Sequence, residues 1–136
     1  MFGLKDHYNI LCLGLSGSGK STLLANLVGE NTSHIEPTNG FNIKTMPIKN
    51  SIVCIKEIGG SAEMQRFWDH YFNDTNALLY MVNASCDDEQ LKTAKRTLKS
   101  LLSNSKFKNK PCIILGTHSD LPNSRTENQL EQYFQN

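Results

Sequence analysis

Four short apolar runs punctuate the chain: Tyr8–Gly14 (YNILCLG), Ile52–Ile58 (IVCIKEI), Ala77–Asn83 (ALLYMVN) and Pro111–Gly116 (PCIILG). Each is β-branched or leucine-rich and bounded by polar turns, so each reads as a strand buried on both faces, as in a parallel sheet. Helical patterns lie between them. Leu23, Leu24, Leu27 and Val28 form a stripe that stops at Gly29. Met64, Phe67, Trp68 and Tyr71 repeat at i, i+3, i+4, i+7, which predicts a second helix. Leu91, Ala94, Leu98, Leu101 and Leu102 predict a third, opened by Asp87 and Asp88, and a last helical pattern starts near Thr126. A fifth strand, Phe41–Ile48, joins the one after it through Lys49-Asn50-Ser51, a hairpin turn. Strands alternating with helices predict an α/β fold with a mostly parallel, doubly wound sheet carrying one antiparallel edge strand.

Composition narrows this picture. A chain of 136 residues, 38% hydrophobic and 20% charged, fits one domain spanning residues 1–136. A net charge of +1 argues against nucleic-acid or membrane binding as a bulk property. No run approaches the length of a membrane-spanning helix, and Met1-Phe2-Gly3 is not a secretory signal, so a cytoplasmic location is the expectation. Cys12, Cys54, Cys86 and Cys112 are far apart, and three sit inside apolar runs. That spacing suits reduced core thiols, not a zinc site or a disulfide framework.

The stretch from Leu13 to Leu24, LGLSGSGKSTLL, carries the chemistry. Gly14-x4-Gly19-Lys20-Ser21 follows a strand and opens a helix, the context that a phosphate-binding loop requires. Glycines let successive backbone N–H groups turn inward as a nest for phosphate oxygens, and the helix presents its positive end to the same anion. Lys20 is placed to reach the β- and γ-phosphates and the Ser21 hydroxyl to ligate Mg²⁺. Gly14, Ser16, Gly17, Ser18, Gly19, Lys20, Ser21 and Thr22 are the loop's candidate nucleotide-binding residues. The wording alone is shared by transporter ATPases, small-molecule kinases and GTPases.

Three later stretches discriminate. Pro37-Thr38-Asn39-Gly40-Phe41-Asn42 precedes the second strand and offers a threonine hydroxyl to the metal shell. Glu57-Ile58-Gly59-Gly60 ends the third strand, with a carboxylate for the metal side and a glycine N–H for the γ-phosphate. Gly116-Thr117-His118-Ser119-Asp120 ends the fifth, where an aspartate can accept two hydrogen bonds from a guanine edge. The last two fall at carboxyl ends of strands and the first at the start of the antiparallel strand, so all three lie on the side of the phosphate loop.

Through PTNGFN and EIGGSAEMQRFWDHYF the sequence resembles the ADP-ribosylation factors and ADP-ribosylation-factor-like proteins, small GTPases of the Ras superfamily. The resemblance covers most of the chain, from the first strand to Asp120-Leu121-Pro122. It implies a P-loop NTPase G domain that binds GTP and GDP with Mg²⁺. Ser21 and Thr38 would ligate the metal, with Glu57 reaching it through water. Gly60 would sense the γ-phosphate, and Thr117, His118 and Asp120 would read the base. The resemblance further implies protein effectors met through Phe41, Tyr71 and the helix of the second switch, together with an exchange factor and an activating protein. Phe41–Ile58 resembles the hairpin that in this family shifts register on nucleotide exchange.

Departures from the family pattern sharpen the expectation. Where the family has Asp-x-Gly-Gly-Gln this chain has Glu57-Ile58-Gly59-Gly60-Ser61. The glutamine orients the attacking water, and Ser61 is too short for that task, so hydrolysis is expected to be slow. Thr117-His118-Ser119-Asp120 replaces Asn-Lys-x-Asp, with His118 able to cover the purine as the lysine stem would or to stand as an exposed loop histidine. Lys56 takes the place of a tryptophan in the family's effector-contacting aromatic triad, and Phe41 and Tyr71 serve either as that surface or as sheet packing. Only Met1 to His7 precede the first strand and glycine stands third, not second, so neither the family's amphipathic helix nor its myristoylation pattern is present and membrane contact is left to a partner. The pattern reaches Asn136 inside a helix, without the family's last strand and final helix, so uncovered apolar surface is expected there. Lys92 to Lys110 hold half the basic residues and read as a solvated face. The rivals to a GTP-binding switch are a pseudo-GTPase scaffold that binds nucleotide weakly and an ATP-using P-loop enzyme, whose LSGGQ signature or lid arginine cluster is not visible.

Overall fold

A computed structural model describes residues 6–15, 18, 20, 41–118 and 121–135. Its strands are β1 (Asp6–Gly14), β2 (Phe41–Ile48), β3 (Ser51–Ile58), β4 (Ala77–Asn83) and β5 (Cys112–Thr117). They form one sheet in the order β2-β3-β1-β4-β5. β1 pairs in parallel with β3 on one side and β4 on the other, β4 pairs in parallel with β5, and β2 runs antiparallel to β3. The hairpin register runs from Phe41 opposite Ile58 to Ile48 opposite Ser51. Lys49-Asn50 alone make the turn, and Lys49 takes the left-handed backbone (φ 53°) that tight hairpins use.

The pleat sorts side chains with a period of two. Leu11 and Leu13 of β1, with Leu78, Tyr80 and Val82 of β4, enter one large core cluster. Their neighbours Cys12 and Met81 turn to the other face and meet Ile55. The large cluster is closed by helix α2 (Asp88–Leu102), whose Leu91, Ala94, Leu98 and Leu101 are buried. Asp87 caps α2 by accepting from the Gln90 N–H at 2.8 Å, while the Gln90 side chain accepts from the Asp87 N–H at 3.2 Å. Helix α3 (Glu127–Gln135) starts on the same device, with Thr126 and Gln129 exchanging hydrogen bonds, and adds Leu130 to the cluster. Leu102, the last member of the predicted stripe, is exposed.

Two expectations are corrected. The pattern Met64–Tyr71 is not one helix but a single turn, α1 (Ala62–Gln65), followed by a 3₁₀ turn at Trp68–Tyr71. Both pieces keep i, i+3 neighbours on one side, so the sequence spacing suits either. The run Pro111–Gly116 is not buried on both faces: Ile113 is 59% exposed, and Ile114 and Leu115 are also open. Among the described residues β5 pairs with β4 alone, and much of its apolar surface faces outward. The predicted helix of Leu23 to Val28 lies outside the described residues. Among the described residues no helix is long and apolar enough to cross a membrane, and the four cysteines are free thiols.

The basic stretch is less idle than a solvated face. Lys95 sits 4.7 Å above the Tyr133 ring, Lys106 pairs with Asp69 at 3.4 Å, and Lys110 donates to the Phe72 carbonyl at 3.1 Å. One buried polar contact ties sheet to helix: the Tyr80 hydroxyl, at the centre of the core, donates to the Ala94 carbonyl of α2 at 2.8 Å. Tyr80→Phe keeps the ring and removes that bond, so it should lower stability by about 1 kcal/mol, or a melting temperature by about 3–5 °C. Thermal unfolding of the two proteins checks this, and an unchanged midpoint would contradict it.

Candidate functional site

β1 ends at Gly14, where a side chain has no room: a Cβ there would lie 2.5 Å from the Met81 carbonyl oxygen of β4 and 2.8 Å from the Ser18 Oγ. The close approach delivers the chain into the loop directly beside β4. Ser18 N–H closes the loop onto the Leu15 carbonyl at 3.2 Å. Lys20 folds back over it. Its ammonium donates to the carbonyls of Gly14 (3.0 Å) and Leu15 (3.1 Å) and contacts the Ser18 hydroxyl at 3.4 Å. Lys20 is buried, and burial pulls its pKa below 10.5, opposed by the negative charge that Cys12 and Glu57 carry when ionised. Beneath it, burial pushes the Cys12 thiol from 9.0 up to about 12, with Lys20 opposing and Glu57 adding.

Glu57 is fully buried near the end of β3, in register with Cys12 across the β1–β3 pair. The segment after it is held by the residues that follow. Trp68 Nε1 donates to the Gly59 carbonyl at 3.0 Å, and Gln65 Nε2 to the Gly60 carbonyl at 3.1 Å. Ser61 is the N-cap of α1, its hydroxyl accepting from the Met64 N–H at 3.2 Å. Gly59 and Gly60 are buried, whereas Ser61 is exposed.

The end of β5 reaches the same place. The Thr117 hydroxyl donates to the Ser18 carbonyl at 2.5 Å, with the Val82 carbonyl at 3.2 Å, so it braces the phosphate loop. His118 follows with a left-handed backbone (φ 59°), a conformation that histidine tolerates better than most residues other than glycine. Ser85 Oγ donates to its carbonyl at 3.0 Å, and its ring Nδ1 lies 2.9 Å from the Thr117 hydroxyl. Arg125 staples the next loop: Nη1 donates to the carbonyls of Ala84 (3.2 Å) and Cys86 (2.6 Å), and Nη2 meets Asp88 at 2.8 Å.

A model of the ADP-ribosylation factor family matches residues 1–136. The chain belongs to that family. It is 30% identical over 131 residues to ADP-ribosylation factor-like protein 15 of Mus musculus, covering 96% of this chain and 64% of the relative. With ADP-ribosylation factor-like protein 2 of Dictyostelium discoideum it shares 33% over 125 residues, 92% of this chain and 67% of the relative. The chain thus spans about 64% of the length of the first curated relatives it matches. Among solved structures, that of the Arl6 BBS3 small GTPase of Trypanosoma brucei, holding the nucleotide analogue GppNp, superposes with a TM-score of 0.83 at 21% identity, over 95% of this chain and 77% of that one. The mammalian SRP receptor structure gives a TM-score of 0.83 at 17% identity, over 93% and 70%. Both likenesses are of fold: a P-loop GTPase sheet with one antiparallel strand.

Of the site residues expected in this member of the ADP-ribosylation factor family, the structure brings together Gly14, Ser18, Lys20, Glu57, Gly60, Thr117 and His118 along one edge of the sheet. Ser16, Gly17, Gly19, Ser21, Thr22, Thr38 and Asp120 lie outside the described residues. Tyr71 is half-buried against the main core, Lys56 is half-buried opposite Ile43, and of Phe41 the backbone pairs with Ile58. The sequence reading missed Gln65, Trp68 and Arg125. The first two stood inside the EMQRFW stretch, where a tryptophan nine residues after the first glycine of a Gly-Gly pair was the available signal; nothing local marked Arg125.

The buried thiol gives the site a pH signature. Folded Cys12 stays neutral to about pH 12, whereas an unfolded thiol ionises near its ordinary 9.0, so its contribution is complete below pH 9 and is lost as pH rises above it. Lys20 works the other way, because its lowered pKa opposes folding less as pH climbs toward 10.5. Above about pH 9 the stability of wild type should therefore drop relative to that of Cys12→Ala, by up to about 1.4 kcal/mol per pH unit. Denaturant titrations across that range check it; parallel slopes would contradict it.

Proposed function

We propose that this chain is a GTP-operated molecular switch: it binds GTP and GDP with Mg²⁺, hydrolyses GTP slowly, and signals to a protein effector in trafficking-type processes. The observation that carries the reading is the convergence of Lys20, Glu57, Gly60 and Thr117 from β1, β3 and β5 at the carboxyl ends of a parallel sheet, where nucleotides bind in such folds. Membership of the ADP-ribosylation factor family supports the choice of guanine nucleotide.

The residues have distinct tasks in this reading. Lys20 gives up its neutral carbonyl acceptors for phosphate oxygens, whose negative charge adds ion-pair attraction to the hydrogen bonds. The Gly60 N–H meets the γ-phosphate. Thr117 keeps the loop in place by holding the Ser18 carbonyl, a bracing task in place of direct base contact, and Asp120 reads the guanine edge. Ser21 and Thr38 hold Mg²⁺, with Glu57 acting through water; hydroxyls and a carboxylate are the hard oxygen donors that this ion prefers. Bound Mg²⁺ supplies neutralisation of charge between the phosphates. Tyr71 and Phe41 flank the effector surface, and exchange and activating proteins act on the same segments.

Ser61 supports slow turnover on two counts. Its side chain is short, and its hydroxyl is engaged at the start of α1. Two measurements test the reading. GTP should displace a fluorescent GDP from the purified protein while excess ATP leaves it in place; displacement by neither, or equally by both, would sink it. In single-turnover hydrolysis, Ser61→Gln should run faster by about tenfold or more, at a cost of about 1 kcal/mol in stability from the lost cap. Equal rates would show that position 61 does not limit hydrolysis.

A further inference from the structure

Trp68 is the chain's single tryptophan, it is buried, and its indole N–H is spent on one acceptor, the Gly59 carbonyl, at 3.0 Å. That carbonyl belongs to the same planar unit as the Gly60 N–H. A trans peptide sets C=O and N–H antiparallel, and no cis peptide occurs among the described residues. Drawing the Gly59 oxygen into the core therefore aims the Gly60 N–H the opposite way. Gln65 repeats the arrangement one peptide later, where its hold on the Gly60 carbonyl fixes the Ser61 N–H. Glycines at 59 and 60 make the restraint necessary, because glycine backbones left to themselves turn freely in φ and ψ.

We propose that Trp68 is a positioning residue for the γ-phosphate, with Gln65 as its auxiliary: the indole orients a backbone N–H, that of Gly60, that meets a nucleoside triphosphate and not a diphosphate. This rests on the nucleotide reading above. The indole bond is made to a peptide plane, so it governs the direction of a donor at a distance from the ring, and neither side chain touches the ligand. The diphosphate does not reach Gly60, so its affinity is indifferent to the indole.

The test is calorimetric titration of the full chain with GDP and with the non-hydrolysable analogue GppNHp. Trp68→Phe retains an aromatic ring and deletes the donor; it should weaken GppNHp relative to GDP by about five- to tenfold while leaving GDP affinity as it was. Gln65→Met should shift the same ratio in the same direction by about two- to threefold. An unchanged ratio in both variants overturns the proposal, as does an equal loss for both nucleotides. Because the chain has one tryptophan, ¹⁵N-indole labelling of the unmutated protein gives one resonance that bypasses any folding defect. That resonance should differ between the GDP and GppNHp complexes, and coincidence of the two overturns the assignment. Wild-type protein that binds neither nucleotide brings down the nucleotide reading itself, whereas binding of both with an unmoved ratio brings down the role of Trp68 alone.

Discussion

The candidate site depends on β1 being paired in parallel on both sides. Ile10 faces Ile55 on one flank and Ala77 on the other, and three residues on Leu13 faces Tyr80. A parallel arrangement puts every carboxyl end at the same edge, so loops that begin at positions 14, 58 and 117 meet although they are a hundred residues apart. The register is specified strongly because a slip of one residue would exchange the two faces. Leu11 and Leu13 would leave the large core, and Glu57 would turn toward it. The contact of Gly14 with the Met81 carbonyl makes the same point at the end of the strand: no side chain fits between β1 and β4 where the loop begins.

That edge concentrates ionisable groups out of water. Lys20, Cys12 and Glu57 interact electrostatically within a buried pocket of the sheet end, and burial dominates the shifts of the lysine and the thiol. A buried ammonium is tolerated only when hydrogen-bonded and near negative charge. Both conditions are met, since two loop carbonyls accept from Lys20 and Glu57 favours its charge. The loop is thus shaped around a cation, and its own uncharged carbonyls hold that cation without the ion-pair attraction an anion would add. Such a loop is prepared for phosphate without paying again to bury the charge.

The strands and the phosphate loop were legible because they rest on local signals: short apolar runs, turn residues, and glycines at a spacing that only a phosphate nest requires. The hairpin was legible down to its turn. What failed depended on partners distant in sequence. An apolar run such as PCIILG states a tendency to be buried, not what covers it, and among the described residues β5 pairs with β4 alone. The spacing of Met64, Phe67, Trp68 and Tyr71 is equally served by an α turn followed by a 3₁₀ turn. The contact of the Thr117 hydroxyl with the Ser18 carbonyl was not legible, because it joins the end of β5 to a loop 99 residues away in the chain. Arg125 binds backbone carbonyls of Ala84 and Cys86, about forty residues away, and backbone acceptors leave no trace in composition.

The segment 57–72 shows how a switch can be both restrained and movable. The restraints at its start are local: the Ser61 hydroxyl caps α1 through the Met64 N–H, while the Gln65 amide and the Trp68 indole hold the carbonyls of Gly60 and Gly59. Contacts of short sequence separation cost little loop entropy to break and remake. Its far end is tied at long range: Trp68 and Phe72 share a buried cluster with Leu98 and Leu101 of α2, Lys106 pairs with Asp69, and Lys110 donates to the Phe72 carbonyl. Any change in the direction of the Gly59–Gly60 peptide must therefore either break the indole bond or move a ring that is packed in the main core. Packed cores yield in discrete steps, not by continuous deformation. A backbone rotation at a pair of glycines, which would otherwise be nearly free, is in this way made a two-state event.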